Sequence, residues 1–335
     1  MKILALKINK FNTNNLLKGV VIGFTFFLLL YSNTNIKAVN KALNLFLNKV
    51  FPSLFPFFIA IDLLSHTDVI TMLNHLLSPF MNKVFNVSGS GSFPFIMGLI
   101  SGYPTGAKII SNFRKNNICS KNDCEKLLAY TNNSGPLFIL GTVGSGFFLS
   151  NEIGYLLLIT HILASITVGI IFRNYRSTNN RSVENTVTEL SFNNFSAILS
   201  NSIFSSLKTC GMILGFIIFF ALIINILLTS RILHIFNFLP FSDWITGCLI
   251  SSLEITNGLN FISSISCKNI SLNLIFSAFF LGYGGLSVLL QVYSIISETD
   301  LSIKPYVVGK FLHGLIASFY TFVLISILPF FHFTL

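Results

Sequence analysis

Two stretches of this chain place glycine, proline and polar side chains in the middle of apolar runs long enough to cross a bilayer. They are Gly98-Leu-Ile-Ser-Gly-Tyr-Pro-Thr-Gly-Ala-Lys108 and Asn132-Asn-Ser-Gly-Pro-Leu-Phe-Ile-Leu-Gly-Thr-Val-Gly144. In hydrocarbon every backbone N–H and C=O needs an internal partner, so unwound backbone persists only where it is buried in protein or lines a solvated cavity. A related pattern returns in the second half, at Leu253-Glu-Ile-Thr-Asn-Gly258 and Gly282-Tyr-Gly-Gly285. Interrupted spans of this kind mark a transport pathway.

Composition places the rest of the chain in the same solvent. Hydrophobic residues make up 53% and charged residues 10%, against roughly 25% charged in soluble domains. The chain reads as a polytopic membrane protein with the lipid bilayer as its surroundings, and 335 residues hold about eight to ten hydrophobic elements of spanning length. The net charge of +10 does not point to nucleic acid, because the basic residues are scattered between apolar spans and build no aromatic-basic surface. Positive residues concentrated in cytoplasmic loops explain them better. The five cysteines show no spacing of a disulfide or metal framework.

The order of elements divides the chain. Residues 1–41 form a basic leader and a first transmembrane helix; residues 19–31 resemble a signal-peptide core, but no clean small-x-small cleavage site follows, so an uncleaved helix is expected. Residues 42–172 follow as a first repeat: a run interrupted by Pro52 and Pro56, an amphipathic segment over 68–87, a re-entrant hairpin over 93–110, a broken helix over 127–149 and an unbroken one over 153–172. A polar linker, 173–190, is placed in the cytoplasm by its arginines. The second repeat, 191–335, is expected to carry an interfacial segment over 192–208, a span over 210–229, a polar-tipped hairpin over 245–265, a helix broken at 282–285 and a final span over 307–329. Charge asymmetry orients the two repeats oppositely, with the N-terminus inside. The expected fold is an all-α polytopic membrane protein made of two inverted repeats, each with a re-entrant helical hairpin and a broken helix.

Inversion would bring the breaks together near the midplane. Ser134 suits an N-cap with Pro136 in the first turn of the restarted helix. The second broken helix restarts at Gly284 and Gly285, and the returning hairpin arms begin near Thr105 and Thr256. Converging helix N-termini present unpaired N–H groups and partial positive charge, which suits an anion. Lys108, one turn past the first tip, either pairs with a substrate carboxylate or snorkels to the interface. Glu254 at the second tip is costly without a partner, and a role in the site is favoured over a buried ion pair. Ser101, Gly102, Asn132, Asn133, Gly135 and Asn257 complete the candidate substrate site, where the amides either contact substrate or satisfy broken backbone. The histidines are dispersed and read as packing or interfacial residues. No catalytic dyad or metal cluster is legible, so the chain is read as a non-enzyme, without a cofactor beyond a coupling cation or proton and open to assembly as a homo-oligomer.

The blocks Phe51-Pro-Ser-Leu-Phe-Pro-Phe57, Ser101-Gly-Tyr-Pro-Thr-Gly-Ala-Lys108, Asn132-Asn-Ser-Gly-Pro-Leu-Phe138, Leu253-Glu-Ile-Thr-Asn-Gly258 and Gly282-Tyr-Gly-Gly285 resemble those of the sporulation integral membrane proteins of the YlbJ type, which belong with the nucleoside-recognition or Gate-domain membrane proteins. The resemblance runs from about Ala42 to the end of the chain. It implies a spore-forming bacterium, a place in the cell membrane or outer forespore membrane, and movement of dipicolinic acid toward the developing spore. It also implies a relation to concentrative nucleoside transporters, whose hairpins and unwound helices bind substrate. A nucleoside or other organic-solute carrier is the alternative expectation, and a non-transporting sporulation scaffold the next.

Overall fold

The computed structural model describes residues 13–176, 194–230, 235, 238, 241–266 and 270–327. The basic leader and most of the linker, 177–190, lie outside these residues. Among those described, all regular structure is helical. Helix α1 (Thr13–Leu30) meets α2 (Ser32–Leu45) at a bend of 97°. The boundary expected at 41/42 falls inside α2, which continues through a π-helical turn, Phe46–Val50, into α3 (Phe51–Leu64). Pro52 sits in the first turn of α3, directly after the π-helical turn, and supplies no N–H to the continuing ladder. The amphipathic helix α4 (Val69–Phe80) runs into a second π-helical turn, Met81–Phe85, and turns by 98° toward α5 (Ser92–Ser101).

The expected hairpins and breaks are present. Helices α5 and α6 (Thr105–Lys115) form the first hairpin. Helix α7 (Lys121–Thr131) ends at residues 132–135, and the chain resumes as the π-helical segment Phe138–Phe147 before the long α8 (Asn151–Phe172). After α9 (Phe195–Thr229), the second hairpin is α10 (Ser242–Leu253) with α11 (Ile255–Ser263). The second broken helix is α12 (Ser271–Tyr283) with α13 (Gly285–Ile296), followed by α14 (Lys304–Ile327). Hairpin, broken helix and long helix thus occur twice in the same order. Among the described residues four helices are long and apolar enough to cross a membrane, or up to six if each bent pair is one span.

One expectation fails here. The interfacial segment over 192–208 and the span over 210–229 are a single 35-residue helix, α9. Lys208 and Thr209 are polar, but no proline interrupts the hydrogen-bond ladder and Gly211 is accommodated within it, so a helix of about 52 Å, at 1.5 Å per residue, continues through.

Packing divides the described residues into a wall and a body. Ala42, Phe46, Phe58, Cys210, Ile213, Ile217 and Ala221 form an apolar cluster that joins α2, α3 and α9 into the wall. Two larger clusters hold the hairpins, the broken helices, α8 and α14 together as the body. Close backbone approach makes the body tight: a Cβ on Gly98 would lie 1.9 Å, and one on Gly106 2.6 Å, from the Thr131 carbonyl oxygen. Both arms of the first hairpin therefore clasp the end of α7. On the far side of that hairpin, ion pairs Arg114–Asp300 (2.7 Å), Lys121–Asp300 (3.6 Å) and Lys115–Glu298 tie α6 and α7 to the connector before α14.

Candidate functional site

A cavity of about 140 Å³ lies between wall and body. That is several times the space one water needs. The wall contributes apolar surface from α2, α3 and α9, including Leu54, Phe57 and Ile217; the body contributes both hairpin tips, the first break and one turn of α13. Of the residues expected to bind substrate, Ser101, Gly102, Gly135, Glu254 and Thr256 line this cavity. Tyr103, Thr142, Ser287 and Gln291 line it as well and were not singled out by the sequence.

At the first tip the chain turns through Gly102, whose φ of 83° is the left-handed region that glycine enters without strain. A Cβ there would stand 2.7 Å from the Gly135 nitrogen, and one on Gly135 would stand 3.0 Å from the Ser101 carbonyl oxygen. Tip and break are in backbone contact, so Gly135 sets their packing as well as lining the cavity. The hydroxyls of Ser101 and Thr105 are buried without a hydrogen-bond partner. The returning helix α6 has no side-chain N-cap, and its Ala107 N–H reaches the Asn132 Oδ1 at 3.5 Å.

The second tip is chemically different. Glu254 ends α10 and caps α11: its carboxylate accepts from the Thr256 N–H (2.9 Å), the Asn257 N–H (2.8 Å) and the Asn257 side-chain amide (2.8 Å). An acid at a helix N-terminus meets both the orphan donors and the positive end of the dipole. The expectation that this N-terminus stands open to an anion is thereby corrected, because the protein's own carboxylate fills it.

The first break is held by side chains. The Ser134 N–H donates to His161 Nε2 (3.1 Å), while the Ser134 hydroxyl donates to the Leu281 carbonyl (3.1 Å) and shares a hydrogen bond with the Tyr103 phenol (3.1 Å). Ser134 is not the N-cap of the following helix, since its hydroxyl is turned to α12 and to the tip. The Gly135 carbonyl instead accepts from the Phe138 and Ile139 N–H groups, both at 3.0 Å. The Asn133 amide donates to the Tyr130 carbonyl (2.9 Å) and the Ser165 hydroxyl (3.2 Å), and that of Asn132 to the Tyr306 phenol (3.4 Å). Asn132 and Asn133 thus satisfy broken backbone and its neighbours rather than lining the cavity. Their carbonyl oxygens meet Lys310 of α14, with the Asn132 backbone at 2.7 Å and Asn133 Oδ1 at 3.5 Å. At the second break, Gly284 and Gly285 have φ of 85° and 75°. A Cβ on Gly285 would sit 2.8 Å from the Ser251 carbonyl oxygen. This break packs on the second hairpin and stays out of the cavity, to which Ser287 and Gln291, one turn on, are its contribution.

The family described as Gate, nucleoside recognition, matches residues 47–215, which contain α3, the first hairpin, the first break and α8. The sporulation integral membrane protein YlbJ of Bacillus subtilis (strain 168) is 31% identical over 345 aligned positions, covering 95% of this chain and 84% of that protein. The chain belongs to the YlbJ family. No solved structure matches it. It is an integral membrane protein of that family, and the second tip, the second break and Lys310 lie beyond the part matched as Gate.

In this YlbJ-family member Lys108 is not among the cavity residues. It lies against the wall, with its ammonium 5.7 Å from the centre of the Phe58 ring and without a hydrogen-bond partner. Asp62 of α3, on the same side, accepts from the Ser202 hydroxyl at 2.8 Å. Asn257 lines a second, more open cavity of about 620 Å³ that shares Leu45 and Thr256 with the inner one. Sequence reading missed Lys310, His313 and His161. A lysine followed one turn later by a histidine inside an otherwise uncharged span was the signal available.

Proposed function

We propose that this chain carries a small organic anion across the membrane, with dipicolinate moving toward the developing spore across the outer forespore membrane as its substrate. The observation that carries the reading is the outer cavity. It is lined by Lys37, Lys41 and the amides Asn44, Asn48, Asn225, Asn257 and Asn260, with no carboxylate among its lining residues, and shares Leu45 and Thr256 with the inner cavity. A vestibule of one charge sign concentrates ions of the other. Beyond it, apolar walls suit a flat ring, and the free Ser101 hydroxyl at the first tip suits a carboxylate. The repeated order of hairpin, broken helix and long helix supports an inverted-repeat transporter related to concentrative nucleoside carriers, in which a central site is reached from alternate sides. Transport, rather than catalysis, is what such a site does.

The description of the Gate family favours a nucleoside as the second reading, for which Gln291 and Ser287 are the cavity's neutral hydrogen-bonding groups. Uptake of labelled dipicolinate and of labelled nucleosides by the purified full chain in proteoliposomes separates the two. Dipicolinate is expected to accumulate, and Lys37→Gln with Lys41→Gln to raise its KM by a few-fold at low salt and less at high salt, as screened electrostatic attraction requires. Uptake of nucleosides alone would replace the anion reading, and uptake of neither would leave a scaffold.

A further inference from the structure

Lys310 is 2% exposed inside α14. Its ammonium nitrogen donates to the Asn132 carbonyl (2.7 Å) and to His313 Nδ1 (3.0 Å), and stands 3.5 Å from Asn133 Oδ1. The His161 carbonyl can only accept, so the His313 ring proton lies on Nε2, which donates to it at 3.0 Å, and Nδ1 accepts from Lys310. The Ser134 N–H donates to His161 Nε2, which puts that ring's proton on Nδ1, a buried atom without a partner. Hydrogen-bond accounting therefore makes both imidazoles neutral, stacked at an angle with centroids 4.4 Å apart, and leaves Lys310 as the group of the cluster that can carry a charge. Among the described residues no carboxylate forms an ion pair with it.

What faces the ammonium instead is oxygen from unwound chain at the C-terminal end of a half-helix, where the dipole is negative. In transporters built from broken helices this is the place where a coupling cation is coordinated. We propose that Lys310 is a tethered cation, whose ammonium fills the oxygen site at the first break that a free sodium ion would otherwise occupy. The uptake consequence, independence from sodium, rests on the transport reading above; the effect on stability does not.

The test uses the purified full chain, with sodium, potassium, choline and n-propylammonium chlorides as probes. Wild-type thermal midpoint and dipicolinate uptake are expected to be the same in the first three salts. Lys310→Ala is expected to lower the midpoint and to reduce uptake by roughly ten-fold or more, comparable to losing one charge-assisted hydrogen bond. Propylammonium, which supplies the missing chain and charge, should restore part of both where choline does not. Lys310→Met fills the space without the charge and should remain defective. A wild-type midpoint that rises with sodium, or a Lys310→Met protein equal to wild type, overturns the proposal. If Lys310→Ala and Lys310→Met both fail to fold, a folded Lys310→Arg protein supports the tethered charge and an equally lost one overturns it. Absence of wild-type uptake sinks the transport reading, while the thermal comparison still decides the cation.

Discussion

The two hairpin tips share a shape and differ in charge. At Gly102-Tyr103-Pro104 the returning helix starts without a side-chain cap, and the flanking hydroxyls of Ser101 and Thr105 are buried and free. At Glu254 the returning helix starts on the protein's own carboxylate, which takes two backbone N–H groups and an amide. The first tip leaves the Ser101 hydroxyl unpaired at the cavity; the second has its donors taken by its own carboxylate. A cavity assembled from similar hairpins is thus chemically one-sided, with a free hydroxyl at one tip and a hydrogen-bonded carboxylate at the other. The tips also differ in anchorage: the first hairpin is pinned by ion pairs from Arg114 and Lys115, whereas among the described residues no ion pair holds the second.

The contrast breaks most completely at the glycines of the first hairpin. Gly98→Val pushes a branched side chain into the Thr131 carbonyl, and the expected loss is on the order of 4 kcal/mol or more, seen as little monodisperse protein after extraction. Normal recovery would mean that the clasp on α7 is looser than described.

Glu254 gives the next largest effect. Glu254→Ala leaves two N–H groups of α11 without their acceptor and should cost about 1–2 kcal/mol, read as a lower thermal midpoint. Glu254→Gln keeps an acceptor oxygen and should lose less, with uptake and stability falling in proportion. Uptake lost at wild-type stability in the Gln variant would assign the charge a role beyond capping.

The smallest effect tests the anchorage. The Arg114 hydrogen bond holds the Asp300 carboxyl below the usual carboxylate range. A depressed carboxylate adds stability above its unfolded pKa of about 3.9 and loses it as pH falls through the lower folded value. Because Asp300 is half exposed, Asp300→Asn should cost under about 1 kcal/mol at neutral pH. Thermal midpoints of variant and wild type should converge below about pH 4; a constant gap would deny the ion pair its role.

The interruptions were legible because glycine, proline and polar residues inside an apolar run leave little else for a lipid-embedded chain to do. The long α9 was not, since Lys208 looks like an interface marker in sequence while the backbone needs a breaker to stop. The role of Glu254 was half legible: its place at a tip follows from the pattern, but the donors it accepts from become neighbours only once α11 turns back. Ser134 resembled a cap by position, yet its hydroxyl is claimed by Leu281, 147 residues away in sequence. Lys310 and the two histidines stayed hidden for the same reason, because their partners lie at the first break and on α8.

The bond from Ser134 to the Leu281 carbonyl also limits how such a molecule can breathe. It rivets the first break to the second broken helix, and Tyr103 rivets the first tip to the same hydroxyl. Prying the two halves of the body apart would strand polar atoms out of reach of water, at about 1–3 kcal/mol each. Sliding α2, α3 and α9 as a panel across the cavity face exchanges one greasy surface for another. That panel is therefore joined to the cavity by apolar contact, where the body is held by buried hydrogen bonds.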